Sequence, residues 1–150
     1  MSKKIITRTH HISKTINAPL LFVYDWCTDY REDDNKITGS NWERTVLEKT
    51  KKRVIYTIRY KSGRKTRGRA SIILLKPPDS WHLAALGDED DIIGDYKLTT
   101  TGKNKTKLDM VFKVKYKEAA EIPTKVEWER DIGVYWDKYA SALEKEYGNR

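Results

Sequence analysis

A lone thiol, three imidazoles and a long run of cations are the groups in this 150-residue chain whose chemistry has to be placed first. Cys27 with His10 or His82 would make a thiol–imidazole nucleophile. The thiol, however, ends the apolar run Leu20-Leu21-Phe22-Val23-Tyr24-Asp25-Trp26-Cys27, where a cysteine ordinarily serves as a small buried hydrophobe. His10 and His11 are neighbours in an extended stretch, so their rings leave opposite faces and do not close on one ion. With no cysteine pair and no HExxH helix, no metal is expected. Asp88-Glu89-Asp90-Asp91 has charge enough for calcium, but Ile92 and Ile93 stand where an EF-hand loop needs a ligand and its glycine, so the stretch reads as a solvated hairpin tip. Gly63 and Gly68 lack the Lys-Ser/Thr helix start of a phosphate cradle, and no cofactor is implied.

Proton transfer would need a titratable or cationic group facing an enclosed space, and Asp95, Tyr96, His82 and Arg69 are the candidates. Each falls in a strand, where a one-residue slip reverses the face, so no catalytic role is assigned. Cations are concentrated in residues 49–69, where Lys49, Lys51, Lys52, Arg53, Arg59, Lys61, Arg64, Lys65, Arg67 and Arg69 occur without an acid. The net charge of +8 is therefore local, since the other twenty basic residues are outnumbered by twenty-two acidic ones. Phosphate contact through this basic hairpin, with stacking from Tyr56 and Tyr60, would suit a nucleic acid or an acidic partner. Those tyrosines alternate out of phase with Arg59 and Lys61, which favours a solvated cationic face instead.

The elements that position these groups follow from periodicity and turn chemistry. Residues 4–16, rich in Ile, Thr and His, predict a strand; Asn17 before Ala18-Pro19 predicts a helix N-cap, with Ile16 stapled onto Leu21. A second short helix over 31–37 precedes the turn Thr38-Gly39-Ser40. Six strands are predicted near 41–49, 53–61, 66–76, 80–87, 91–101 and 106–117, joined by turns too short for parallel crossovers. Val54, Tyr56, Ile58 and Tyr60 share one face of their strand, and Leu108, Met110, Phe112, Val114 and Tyr116 one face of theirs, so the sheet has one wet side. After Ala119-Ala120 the period changes. Thr124 and Glu127 are spaced as a capping box, and an amphipathic helix of roughly 35 Å should run to about Tyr147 and cover the inner face.

The opening His11-Ile12-Ser13-Lys14-Thr15-Ile16-Asn17-Ala18-Pro19, followed by Val23, Trp26 and Asp29-Tyr30, resembles that of the START-like (SRPBCC, polyketide cyclase/dehydrase and lipid transport) superfamily. The order of elements over nearly the whole chain resembles it as well. The resemblance implies an α+β helix-grip fold: a curved seven-stranded antiparallel sheet around a long C-terminal helix, with two short helices after the first strand. It also implies a cavity between sheet and helix that takes lipids, sterols, polyketides or other apolar molecules, or a cyclase/dehydratase acting on a polyketide-like substrate. Inward aromatics would line such a cavity, and Tyr56, Tyr60, Trp81, Met110 and Phe112 are candidates on the strands. Tyr116, Trp128, Tyr135 and Trp136 complete the set.

The expectation is thus one domain over residues 1–150 that binds a small apolar or aromatic ligand, as a monomer or homodimer. One cysteine closes no internal disulfide, and the first residues lack a signal peptide's apolar core, so a cytoplasmic location is expected. No apolar run reaches the roughly 20 residues that span a bilayer.

Overall fold

The computed structural model describes residues 5–117 and 122–149. The period change at Ala119-Ala120 and the strand residue Lys4 lie outside the described residues. Seven strands, β1 (Ile6–Ile16), β2 (Glu43–Lys49), β3 (Arg53–Ser62), β4 (Lys65–Lys76), β5 (Ser80–Gly87), β6 (Asp90–Gly102) and β7 (Lys105–Tyr116), form one antiparallel sheet in the order β1-β7-β6-β5-β4-β3-β2. Consecutive strands from β2 to β7 are neighbours, as their short turns require. The long step is from β1 to β2, the two edges of the sheet. It is carried by α1 (Leu20–Cys27) and α2 (Asn35–Thr38), which therefore close one end of the sheet's inner side.

The first helix begins two residues later than its sequence signals suggest, capped at Pro19 rather than Asn17. Pro19 occupies the cap position without a side-chain bond, while the backbone N–H of Asn17 donates to Glu144 Oε1 at 2.7 Å. Leu21 is exposed rather than stapled to buried Ile16. The last helix, α3 (Lys125–Gly148), is capped as its sequence predicts, with Thr124 Oγ1 accepting from the Glu127 N–H at 3.1 Å. At about 1.5 Å per residue its 24 residues run roughly 36 Å.

Polar contacts fix α3 along β1. Arg8 donates to the Pro123 carbonyl, His10 Nδ1 lies 2.9 Å from Glu129 Oε2, and Lys14 Nζ lies 2.7 Å from Asp137 Oδ1. The two halves of the helix differ in what lies beneath them. Under the C-terminal half, Leu143 meets Ile16, Val23, Leu98 and Leu108 in a core from which solvent is fully excluded. Under the N-terminal half the residues are large rings, and these do not fill the space.

Candidate ligand-binding cavity

A cavity of about 190 Å³ lies between the N-terminal half of α3 and the sheet. Its floor is Tyr56 and Ile58 of β3, Leu83 of β5, Ile92 and Tyr96 of β6, and Phe112 of β7. Its roof is one stripe of α3: Trp128, Ile132, Tyr135, Trp136 and Tyr139, spaced by turns of the helix. Trp26 and Cys27 of α1, then Tyr30 and Asp34, form the end wall with Arg44 of β2. The floor exists partly because residue 94 has no side chain: a Cβ there would stand 3.0 Å from the Phe112 ring and 3.3 Å from Tyr96.

Arg44 and Asp34 are the only charged side chains in this lining, among the described residues. Arg44 pairs in register with Ile58, which places it on the inner face. Its Nη1 donates to Asp34 Oδ2 at 2.5 Å and to the Arg31 carbonyl at 2.8 Å. The guanidinium carbon lies 4.7 Å from the ring centre of Tyr56, 5.0 Å from Trp42 and 5.2 Å from Tyr30, a three-sided aromatic cage. Burial works against the Arg44 charge, but Tyr56 and the hydrogen bond donated to Asp34 outweigh it and its pKa is raised. Tyr30 takes the left-handed backbone conformation, φ 47°, unusual for a bulky residue, and its ring stacks on Tyr56 at 5.4 Å.

The other titratable groups in the wall stay neutral at ordinary pH. Burial raises the pKa of Tyr30, Tyr56, Tyr96, Tyr135 and Tyr139, and the Tyr135 and Tyr139 hydroxyls share a hydrogen bond of 2.9 Å. Cys27 lines the wall, but burial and then Asp34 push its thiol up, away from the thiolate a nucleophile needs. Of its two candidate bases, His10 lies behind Trp128, stacked on that ring at 4.0 Å, and is not part of the lining. The other, His82, is on the outer face of the sheet.

Five of the nine sequence-derived ligand candidates line the cavity together: Tyr56, Phe112, Trp128, Tyr135 and Trp136. The other four lie outside it. Tyr60 shares the inner face of β3 but sits nearer the hairpin, in an open groove at the mouth, where its hydroxyl donates to Glu89 at 3.0 Å and burial pushes its pKa up to about 12. Trp81 stacks behind Tyr96 at 4.8 Å, and Met110 and Tyr116 are buried in the core. Among the proton-transfer candidates only Tyr96 reaches the cavity. Asp95 and His82 pair with each other on the outer face, 2.7 Å apart, because they alternate with inward Tyr96 and Trp81. Arg69 is held by Asp90 at 2.6 Å near the mouth.

Sequence reasoning did not single out Arg44, Asp34 or Tyr30 as site residues. The signal for Arg44 was its two-residue step from Val46 and Trp42, which puts a charge among inward apolar positions of an edge strand.

No family model matches the sequence, and no curated protein matches it. Solved structures do. The Zhui aromatase/cyclase from Streptomyces sp. R1128 superposes with a TM-score of 0.71 at 14% identity, over 97% of this chain and 96% of that one. Ara h 8.0201 gives 0.70 at 14% identity, covering 96% and 99%. A START superfamily protein from Mycobacterium smegmatis gives 0.61 at 14% identity, covering 93% and 98%. The fold is the START-like helix grip.

In this helix grip the basic segment 49–69 is divided by the fold. Lys51 and Lys52 lie at the turn between β2 and β3, at the opposite end of β3 from Arg64 and Lys65. Among the described residues, five of its ten cations are ion-paired: Lys49 with Asp29, Arg53 with Glu48, Arg59 with Glu43, Arg67 with Glu89 and Arg69 with Asp90. The acidic tip between β5 and β6 supplies two of those partners, and Asp88 Oδ2 accepts the Gly68 N–H at 2.7 Å. The tip is thus packed against the basic strands rather than solvated on its own. No group of three or more His, Cys, Asp or Glu arranged to hold a metal occurs among the described residues, and no helix among them is long and apolar enough to cross a membrane.

Proposed function

We propose that the chain binds or carries a small, mainly aromatic molecule in the cavity beneath α3. The observation that carries this reading is the lining itself: rings and aliphatic side chains on floor and roof, with one guanidinium and several neutral hydroxyls. This mixture gives a flat ligand both contact area and hydrogen-bonding partners. An apolar cavity of about 150 Å³ accommodates benzene, so about 190 Å³ suits one substituted ring. A longer molecule would extend through the opening between Ile58, Ile132 and Tyr135 into the adjoining groove, which those three residues also line. Native mass spectrometry of the purified protein, followed by thermal-shift titration of whatever co-purifies, tests the proposal. A bound small molecule that raises the melting temperature supports it. A protein that purifies empty and is stabilised by no aromatic compound overturns it.

A cyclase/dehydratase-type activity on a polyketide-like substrate is the second reading, favoured by the donors in the wall. Neutral tyrosine hydroxyls and the Arg44 guanidinium can hydrogen-bond a carbonyl oxygen and polarise it. Turnover of a poly-β-ketone analogue, lost in Arg44→Met and retained in His82→Ala, would move the assignment from binding to catalysis.

A further inference from the structure

The charge of the cavity wall restricts what the cavity admits, an inference that rests on the ligand-binding reading above. The lining holds one cation and one anion, and their charges offset each other: Arg44 Nη1 contacts Asp34 Oδ2 at 2.5 Å, with side chains 6% and 14% exposed, while the buried Arg44 Nε has no hydrogen-bond partner among the described residues and remains a donor. From the solvent side Arg31 Nε reaches Asp34 Oδ1 at 3.6 Å and Asp29 at 3.7 Å, and Lys49 Nζ lies 2.7 Å from Asp29; the one cation in excess therefore sits among half-exposed groups, where solvent screens it, and not in the lining. The remaining polar groups that face Arg44 are Tyr30 and Tyr56, from the loop and from β3, together with Tyr135 and Tyr139 of α3. Burial keeps all four phenols protonated. A carboxylate or phenolate entering this space would be a third, unbalanced charge among mainly apolar walls, and an unpaired buried charge is strongly unfavourable. A carbonyl or un-ionised hydroxyl meets no such cost and can use the tyrosine hydroxyls as donors and acceptors.

We infer that the cavity selects uncharged, oxygen-bearing aromatic molecules and rejects their anions, and that Asp34, by neutralising Arg44, sets this selectivity. Removing the Asp34 charge should leave Arg44 as a free cation in the wall and reverse the preference.

The probe is 4-nitrophenol, a single ring whose ionisation falls near neutral pH and is visible by absorbance. Titrated in the presence of excess wild-type protein, its bound form should ionise at least about one pH unit higher than free, equivalent to about a tenfold preference for the phenol. In Asp34→Asn the bound probe should ionise below its free value. Wild-type protein that leaves the ionisation unchanged or lowers it overturns the inference while leaving the ligand reading standing. A wild-type protein that binds the probe at neither extreme of the titration overturns the inference, while the ligand reading falls only if no aromatic compound stabilises the protein. Should Asp34→Asn fail to fold, Asp34→Ser takes its place, and a folded Asp34 variant that still raises the ionisation of the bound probe overturns the role given to Asp34.

Discussion

Asp34 and Arg44 meet at 2.5 Å inside the cavity wall, joining the loop after α1 to edge strand β2. The same guanidinium binds the Arg31 carbonyl, so one side chain holds the loop, walls the cavity and supports the strained Tyr30 beside it. Removing one partner of a buried pair leaves the other charge uncompensated, which typically costs about 3–5 kcal/mol. Because Asp34 retains some exposure, Arg44→Met is expected to destabilise by about 3 kcal/mol in urea unfolding. Arg44→Met combined with Asp34→Leu should recover much of that loss. A double variant as unstable as the sum of the two singles would show that the pair is not coupled.

Filling the cavity separates ligand binding from folding. Phe112→Trp enlarges a ring that already faces the void, and should keep the fold while abolishing thermal stabilisation by aromatic ligands. Gly94→Ala acts on the same ring from below: the new methyl would stand 3.0 Å from Phe112, pushing it into the cavity. Unchanged ligand stabilisation in both variants would place the binding site elsewhere.

The buried phenols predict a steep alkaline limb of stability. Tyr30, Tyr56, Tyr96, Tyr135 and Tyr139 have folded pKa values raised by burial above the ordinary value near 10. Above that pH the unfolded chain loses protons that the folded chain keeps, so their contribution is fully present below the unfolded value and is lost as pH rises toward the folded ones. Each such tyrosine can contribute up to about 1.4 kcal/mol per pH unit to the fall. Phenolate absorbance should appear together with unfolding, not ahead of it, and Tyr96→Phe should make the limb shallower. Gradual ionisation of these tyrosines in a still-folded protein would contradict this account.

Much of this arrangement is legible in the residues. Period-2 alternation in β3 and β7 identifies the inner faces, and the Thr124–Glu127 cap starts α3 where the sequence places it. Alternation gives the face of a side chain but not its position along the groove, which is why Tyr60, Trp81, Met110 and Tyr116 point inward without reaching the cavity. That coordinate depends on where α3 stands off the sheet, a property of packing between distant segments. Arg44 is obscured for a related reason. Its inward orientation follows from pairing with Ile58, and the bulge between Val46 and Glu48 leaves only the short step Trp42-Arg44-Val46 from which a face could be read. Asp34 and Tyr30 lie in a connecting segment with no period at all.

The hairpin between β3 and β4 gives the last prediction, because ion pairing engages half of the cations of residues 49–69. Arg67 and Arg69 are engaged by Glu89 and Asp90, whereas Arg64 and Lys65 are exposed at the tip with no ion pair among the described residues. Replacing those two by alanine should change stability by no more than about 0.5 kcal/mol, as for other surface substitutions. Arg69→Ala removes a partly buried pair and should cost more. With half of the ten cations of residues 49–69 ion-paired, any binding to single-stranded DNA or RNA should depend on salt less steeply than ten free cations would make it, since the slope counts the phosphates neutralised. A steep salt dependence in the wild-type protein, abolished in Arg64→Ala/Lys65→Ala while binding of aromatic ligands is unaffected, would establish the hairpin as a second, phosphate-directed surface.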